Sequence, residues 1–365
     1  MIPLCIPEMS GNEWRYIKEC LDTNWVSSVG SYVNKFEDEF AKFVEAKKAV
    51  VTVSGTAALE LALRTLGVGD GDEVIVSSLT FISPVNTIKY VGADPVFVDV
   101  CRDTYVMDAE KIEKLITEKT KAILPVHLYG HPVDMDKVME IAKKYNLYVI
   151  EDATESLGSL YKGKALGSIG NIGCFSFNGN KLITTGAGGM FVTNNEKLGE
   201  KAKFLSTQTK VVAENKAFYH PEIGYNFRMP NLLAAMGCAQ LEKIEQYILA
   251  KRQHANEYNK LLSNVKGISI PIEKEWAKNV YWLYSVVIED GYGTSRDDLI
   301  KKLGENGIES RPFFMPVHDM PPYKRCKHGN MSITNELAAR GINLPSSVGL
   351  TNDELKKVCE IIGDW

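Results

Sequence analysis

No Gly-x-Gly-x-x-Gly follows the first strand-like run of this chain, which argues against a dinucleotide fold. No apolar stretch approaches the ~20 residues of a bilayer-spanning helix, so no membrane partner is expected. The seven cysteines stand at 5, 20, 101, 174, 238, 326 and 359, an odd and scattered set without a Cys-x-x-Cys pair. That argues against a disulfide framework or a zinc site, and for a reducing cytoplasm. No metal is expected, and several cysteines read as small core residues. Long basic runs are absent, and 42 basic against 46 acidic residues leave a net charge of −4. A nucleic-acid footprint is therefore missing. Met1-Ile-Pro-Leu-Cys-Ile-Pro lacks the charged-then-apolar layout of a secretory leader, so a cytoplasmic location is expected. There is no internal repeat and no low-complexity tract.

What is present is an ordinary globular composition, 45% apolar and 24% charged over 365 residues, long enough for two domains. β-Branched runs alternate with helical periodicity. Residues 49–53, 73–77, 95–99, 122–127 and 147–150 read as strands, and 57–66 and 134–145 as helices. Such alternation predicts an α/β fold with a mostly parallel sheet covered on both faces. Ligands in such sheets bind at the carboxyl ends of the strands. A long amphipathic stretch follows, from about Met229 to Ser263. The pattern then changes to a strand at 281–288 and helices at 297–306 and 353–362. The expected division is a large α/β domain, 1–245, and a smaller α+β domain, 246–365.

Lys181 lies in Gly173-Cys-Phe-Ser-Phe-Asn-Gly-Asn-Lys-Leu-Ile-Thr-Thr-Gly-Ala-Gly-Gly-Met190, a glycine-flanked turn between two short strand-like runs. A carboxylate pair closes an earlier strand, Leu147-Tyr-Val-Ile-Glu-Asp152. A lysine with a carboxylate is what pyridoxal phosphate chemistry requires. The amine forms a Schiff base with the aldehyde, and the carboxylate keeps the pyridine nitrogen protonated. Gly55 and Thr56 stand where a strand turns into a helix, a natural anion site. Phe81 follows the next strand and could lie on a ring. Glu155 comes three residues after Asp152, while Glu151 is assigned to structure. Ser176 precedes the lysine by five residues, and Asn226 and Arg228 sit on a loop before a helix. Taken singly these read as an N-cap, a core aromatic, a turn cap and ordinary loop polarity. Their order along one chain is what carries the chemistry.

The same segments resemble the DegT/DnrJ/EryC1/StrS family of pyridoxal-phosphate sugar aminotransferases. The likeness runs from about residue 3 to 362 through Ser54-Gly-Thr-Ala-Ala-Leu59, Thr80-Phe81, Val126-His-Leu-Tyr-Gly130, Glu151-Asp-Ala-Thr-Glu-Ser-Leu-Gly158, Cys174-Phe-Ser-Phe-Asn-Gly-Asn-Lys181, Gly224-Tyr-Asn-Phe-Arg-Met229 and Gly341-Ile-Asn-Leu-Pro-Ser346. The resemblance implies the fold of aspartate-aminotransferase-like enzymes (fold type I). It makes Lys181 the Schiff-base lysine, Asp152 the pyridine partner, Phe81 the stacking aromatic and Glu155 a polar neighbour of the ring. Gly55, Thr56 and Ser176 become phosphate ligands. Asn226 is the residue reaching the phosphate from a second subunit, which makes the working unit a homodimer. Two departures stand out: Ser54 where asparagine is common, and Gly186-Ala-Gly-Gly189 where Gly-Glu-Gly-Gly is common. An intact lysine argues against the dehydratase branch, in which histidine replaces it.

By the same likeness the donor is L-glutamate, leaving as 2-oxoglutarate, and the acceptor a nucleotide-linked 4-keto-6-deoxyhexose. Trp25-Val-Ser-Ser28 and Glu309-Ser-Arg-Pro-Phe-Phe-Met-Pro-Val-His318 resemble enzymes that aminate C4, and residues 340–346 most resemble GDP-perosamine synthases of O-antigen biosynthesis. The lysine turn and Ala-Thr-Glu-Ser look more like enzymes of the UDP-linked bacillosamine and legionaminate routes, so the nucleotide stays open at this point. Trp25, Arg228, Arg311, Phe313 and His318 are the candidate substrate contacts. A C3 aminotransferase and a non-catalytic regulator of the same fold are the rivals.

Overall fold

The structure, a computed structural model, describes residues 1–213 and 216–364. The last residue of the expected second domain therefore lies outside the described residues. Seven strands form the central sheet: β1 (Lys48–Thr52), β2 (Glu73–Ser77), β3 (Asp94–Val98), β4 (Thr120–Leu124), β5 (Tyr148–Asp152), β6 (Ile172–Ser176) and β7 (Gly189–Thr193). Their order is β1-β7-β6-β5-β4-β2-β3. The pairs from β3 to β6 are parallel, and β7 runs against both its neighbours. The sheet is mostly parallel, as expected.

These strands read as unbroken apolar runs because both faces are buried. Alternate side chains feed two separate cores. Val51, Ile75, Val149 and Phe175 join Phe36 and Phe40 on one face. Val50, Val76, Ile150 and Phe191 join Leu59, Leu63 and Ile88 on the other. Helix Gly55–Thr65 follows β1 directly, and Ser54 caps it by accepting a 3.1 Å bond from the Ala57 amide. Serine is a good N-cap, so its departure from asparagine costs nothing locally.

Two expectations need correction. The stretch 229–263 is two helices, Asn231–Leu241 and Ile244–Leu262, with a break at Glu242-Lys243 where the Lys243 amide turns back to the Gln240 carbonyl. The strand expected at 281–288 begins only at Tyr284. Tyr281 holds φ at +52°, a left-handed conformation rarely tolerated by a bulky residue, and this turns the chain before the strand.

That strand pairs antiparallel with Gly341–Leu344, in a four-stranded sheet completed by Ile268–Ser269 and Arg311–Pro312. A third core gathers there around Tyr258 and Tyr284, whose rings stack 4.5 Å apart. Two stretches cross the expected boundary at 245. Ile2 packs in this third core, bridged to Ile308, while Val317, Tyr323 and Met331 pack against the central sheet. Among the described residues no helix is long and apolar enough to cross a membrane.

Candidate active site

The carboxyl ends of β1, β5 and β6 meet at one cavity of about 290 Å³. Adjacent residues on a strand face opposite sides, and this sorts the carboxylate pair at the end of β5. Glu151 points away from the cavity and is saturated: the amides of Gly167, Ile169 and Gly170 and His127 Nε2 all approach it at 2.6–3.2 Å. The Val133 amide donates to His127 Nδ1, so the imidazole proton sits on Nε2 and points at Glu151. Asp152 turns into the cavity, only 2% exposed, and accepts one amide bond from Thr154 at 3.1 Å. Burial pushes its carboxyl up, against the bonds from Thr154 and the charge of Lys181. It retains free acceptor capacity towards the cavity.

Lys181 ends a turn in which its amide donates to the Asn178 carbonyl at 3.0 Å. The turn connects β6 to β7 and is fastened below by the Thr185 amide and the Thr184 hydroxyl, both on the Phe177 carbonyl. The lysine side chain is 13% exposed, and its Nζ lies 3.7 Å from Glu155 Oε1. The other Glu155 oxygen accepts the Tyr129 amide at 2.9 Å. Burial pushes the Glu155 carboxyl up to about 6 even with the lysine charge opposing it. A primary amine and two buried carboxylates thus share one enclosed volume. The arrangement can exchange protons at a bound carbon and hold a cation on the cavity floor.

The far end of the cavity is built for an anion. Gly55 and Thr56 open the helix after β1, with free amides and the positive end of the dipole. A Cβ on Gly55 would lie 2.8 Å from the Ser176 Cβ, so only glycine lets that strand end approach. The Thr56 hydroxyl donates to Ser83 Oγ at 3.0 Å, which brings in the start of a second helix, Ser83–Tyr90. Phe81 stands at the wall, 52% exposed, its ring centroid 5.8 Å from that of Phe314. A pyridine ring carrying a phosphate and an aldehyde suits these donors: amides and hydroxyls at one end, a carboxylate short of hydrogen bonds, and a lysine.

Of the other expected residues, only Arg311 reaches the cavity, exposed and paired with Glu309 at 2.8 Å. Two expected substrate contacts do not line this cavity. Phe313 is 3% exposed, wedged against Tyr105, Tyr129 and the Gly341 backbone, and Phe314 faces the cavity instead. His318 is buried, with Nδ1 2.7 Å from the Ser78 hydroxyl, and serves to fix its own loop. Asn226 and Arg228 lie together outside this chain's cavity, 3.4 Å apart, and Trp25 is 55% exposed elsewhere. Sequence reasoning missed Leu4, Ser83, Asn180, Trp282, Phe314 and Asn343, all of which line the cavity. Ser83, beside the highlighted Thr80-Phe81, was the one with a readable signal, a serine-proline helix start.

The profile of the DegT/DnrJ/EryC1/StrS aminotransferase family matches residues 7–363. GDP-perosamine synthase of Caulobacter vibrioides is 44% identical over 358 residues, covering 98% of this chain and 96% of the relative. The enzyme of that name from Escherichia coli O157:H7 is 44% identical over 364 residues, covering 100% and 98%. Among solved structures, S. venezuelae DesV in complex with a ketimine intermediate superposes with a TM-score of 0.91 at 32% identity, covering 97% of this chain and 94% of DesV.

Proposed function

The chain belongs to the DegT/DnrJ/EryC1/StrS aminotransferase family, and from that premise we propose that it transfers the amino group of L-glutamate to C4 of a GDP-linked 4-keto-6-deoxyhexose. It is a pyridoxal-phosphate-dependent nucleotide-sugar aminotransferase. The observation that carries the chemistry is the meeting of Lys181 Nζ, Glu155 and Asp152 in one buried cavity. The choice of GDP and of C4 rests on the perosamine synthases that share 44% of its residues.

Bound pyridoxal phosphate supplies the carbonyl that takes up the amine and a ring that stores the electron pair. Lys181 is the residue that would hold that group through its Nζ, and its amine, when free, is placed beside Glu155 to move a proton at the donor α-carbon. Asp152 keeps the pyridine nitrogen protonated through a charge-assisted hydrogen bond. Gly55, Thr56, Ser83 and Ser176 bind the phosphate, and Phe81 and Phe314 wall the ring off from water. The same residues would serve both half-reactions, the first releasing 2-oxoglutarate and the second placing the amine at C4 of the keto-sugar.

Asn226, Arg228 and Trp25 have no work in their own cavity. We assign them to the cavity of a second subunit, in a homodimer. Asn226→Ala is expected to leave a sedimenting dimer whose cofactor dissociates about tenfold more readily, one charge-assisted hydrogen bond's worth. A monomeric protein with full activity sinks that assignment.

A panel of GDP-, UDP- and dTDP-linked 4-keto-6-deoxysugars with glutamate, read by mass spectrometry, tests the substrate. The GDP sugar should turn over best. Arg311→Gln should raise its KM about ten- to hundredfold, with the glutamate half-reaction within about twofold. Preference for a UDP sugar, or a product aminated at C3 by NMR, overturns the proposal.

A further inference from the structure

Trp282 lies against the lysine, and none of the roles above employs it. The Lys181 Nζ lies 3.9 Å from the centroid of the Trp282 ring and 3.7 Å from Glu155 Oε1, between a π face and a carboxylate. The indole is held from several sides. Its Nε1 donates at 2.7 Å to the carbonyl of Asn180, the residue immediately before the lysine. The thiol of Cys5 donates to that same carbonyl at 3.3 Å. The backbone carbonyl of Trp282 accepts a 2.8 Å bond from Lys251, a fully buried lysine that also holds the Ser346 carbonyl. Tyr129, whose amide binds Glu155, stacks against the ring at 6.5 Å and 29°. The turn that delivers the indole is strained, with Tyr281 at φ +52°.

We infer that Trp282 is a positioning residue for Lys181: its π face and the Glu155 carboxylate form a dock that holds the ε-ammonium while the lysine is not bonded to the cofactor. The inference rests on reading Lys181 as the cofactor-bearing lysine. Each half-reaction frees that side chain and later needs it back at one place. A flexible chain with four rotatable bonds returns there faster when its free position is fixed close by. The groups facing Nζ are Glu155, the more distant Asp152 and the indole, so the dock has one face made of charge and one of polarisable ring. A desolvated cation–π contact is worth a factor of a few to about thirty.

The test uses Trp282→Met, which keeps bulk without a π face, and Trp282→Phe, which keeps a weaker face. In the cofactor-free protein, labelling of Lys181 by an amine-reactive reagent, quantified on its peptide, should be about five- to thirtyfold faster in Trp282→Met. Trp282→Phe should stay within about threefold of the parent. In the holoenzyme, kcat of both half-reactions should fall about tenfold in Trp282→Met with KM for glutamate and sugar unchanged, and Trp282→Phe should restore most of it. Unchanged labelling in Trp282→Met, or a loss confined to KM, overturns the dock. Should Trp282→Met not fold, Glu155→Gln carries the same decision: labelling about twofold faster or more supports the dock, and unchanged labelling overturns it. Borohydride reduction and peptide mapping of the holoenzyme decides separately whether Lys181 bears the cofactor, and the labelling result stands whichever way that falls.

Discussion

Lys181→Ala is expected to lower turnover by about four orders of magnitude or more, because one nitrogen has two successive jobs, covalent attachment and proton transfer. Its loss should spare the fold. The side chain belongs to none of the three apolar cores, and the turn that carries it is fastened by backbone and threonine bonds at 177–185 that do not involve it. The local price falls on Glu155. The lysine charge is what opposes burial there, so without it the carboxyl, already up at about 6, moves higher and holds its proton further into the neutral range. That relieves an unpaired buried charge, and thermal midpoints should differ from the parent by only a few degrees. Lys181→Arg separates charge from chemistry. It keeps a cation beside Glu155 but cannot form the covalent bond, and it should be as inactive as the alanine variant. Turnover, visible absorbance and borohydride labelling together read the result. Alanine-variant activity within tenfold of the parent removes Lys181 from the mechanism.

Much of this site was legible because it is made of strand ends. Asp152, Ser176 and Gly55-Thr56 sit where an apolar run meets a polar or glycine residue, and such transitions survive errors of a residue or two in the strand limits. What could not be read depends on phase or on distant partners. Phe313 and Phe314 differ by one position, and one position is a change of face. Arg311-Pro312 pairs with Ile342-Asn343, and the Phe313 amide continues that pairing onto the Gly341 carbonyl. This register presses the Phe313 ring against Gly341, where a Cβ would come within 2.2 Å of it. Nothing in residues 309–318 announces that register. Trp282 was hidden for another reason: Tyr281-Trp-Leu-Tyr-Ser-Val-Val-Ile looks like one strand, and the left-handed Tyr281 that breaks it is set by tertiary contacts. Leu4 reaches the cavity wall because its amide binds Glu309 and its carbonyl binds the Ser346 amide, more than 300 residues away. Asn226, Arg228 and Trp25 lie outside this chain's cavity, so the role proposed for them depends on a second subunit.

Asp152→Asn should lower turnover by about a hundred- to a thousandfold, the usual penalty for losing one preorganised electrostatic group. Asparagine keeps the shape of the side chain and can still accept the 3.1 Å bond from the Thr154 amide. What it lacks is the charge that holds a proton on the pyridine nitrogen. The cofactor-free protein should be as stable as the parent or slightly more so, since burial already disfavours the Asp152 carboxylate. The neighbouring carboxylate predicts the opposite pattern. Glu151 accepts from three amides and His127, so Glu151→Gln turns an amide group towards donors that have nowhere else to go. That variant should lose about 2–4 kcal/mol in chemical denaturation, with residual activity tracking its folded fraction. Two adjacent acids on one strand thus separate into a chemical and a structural role, distinguishable by whether kcat or stability moves. Near-normal turnover in Asp152→Asn, together with catalytic loss in a stable Glu151→Gln, would reverse the assignment and place the pyridine partner on the other face of β5.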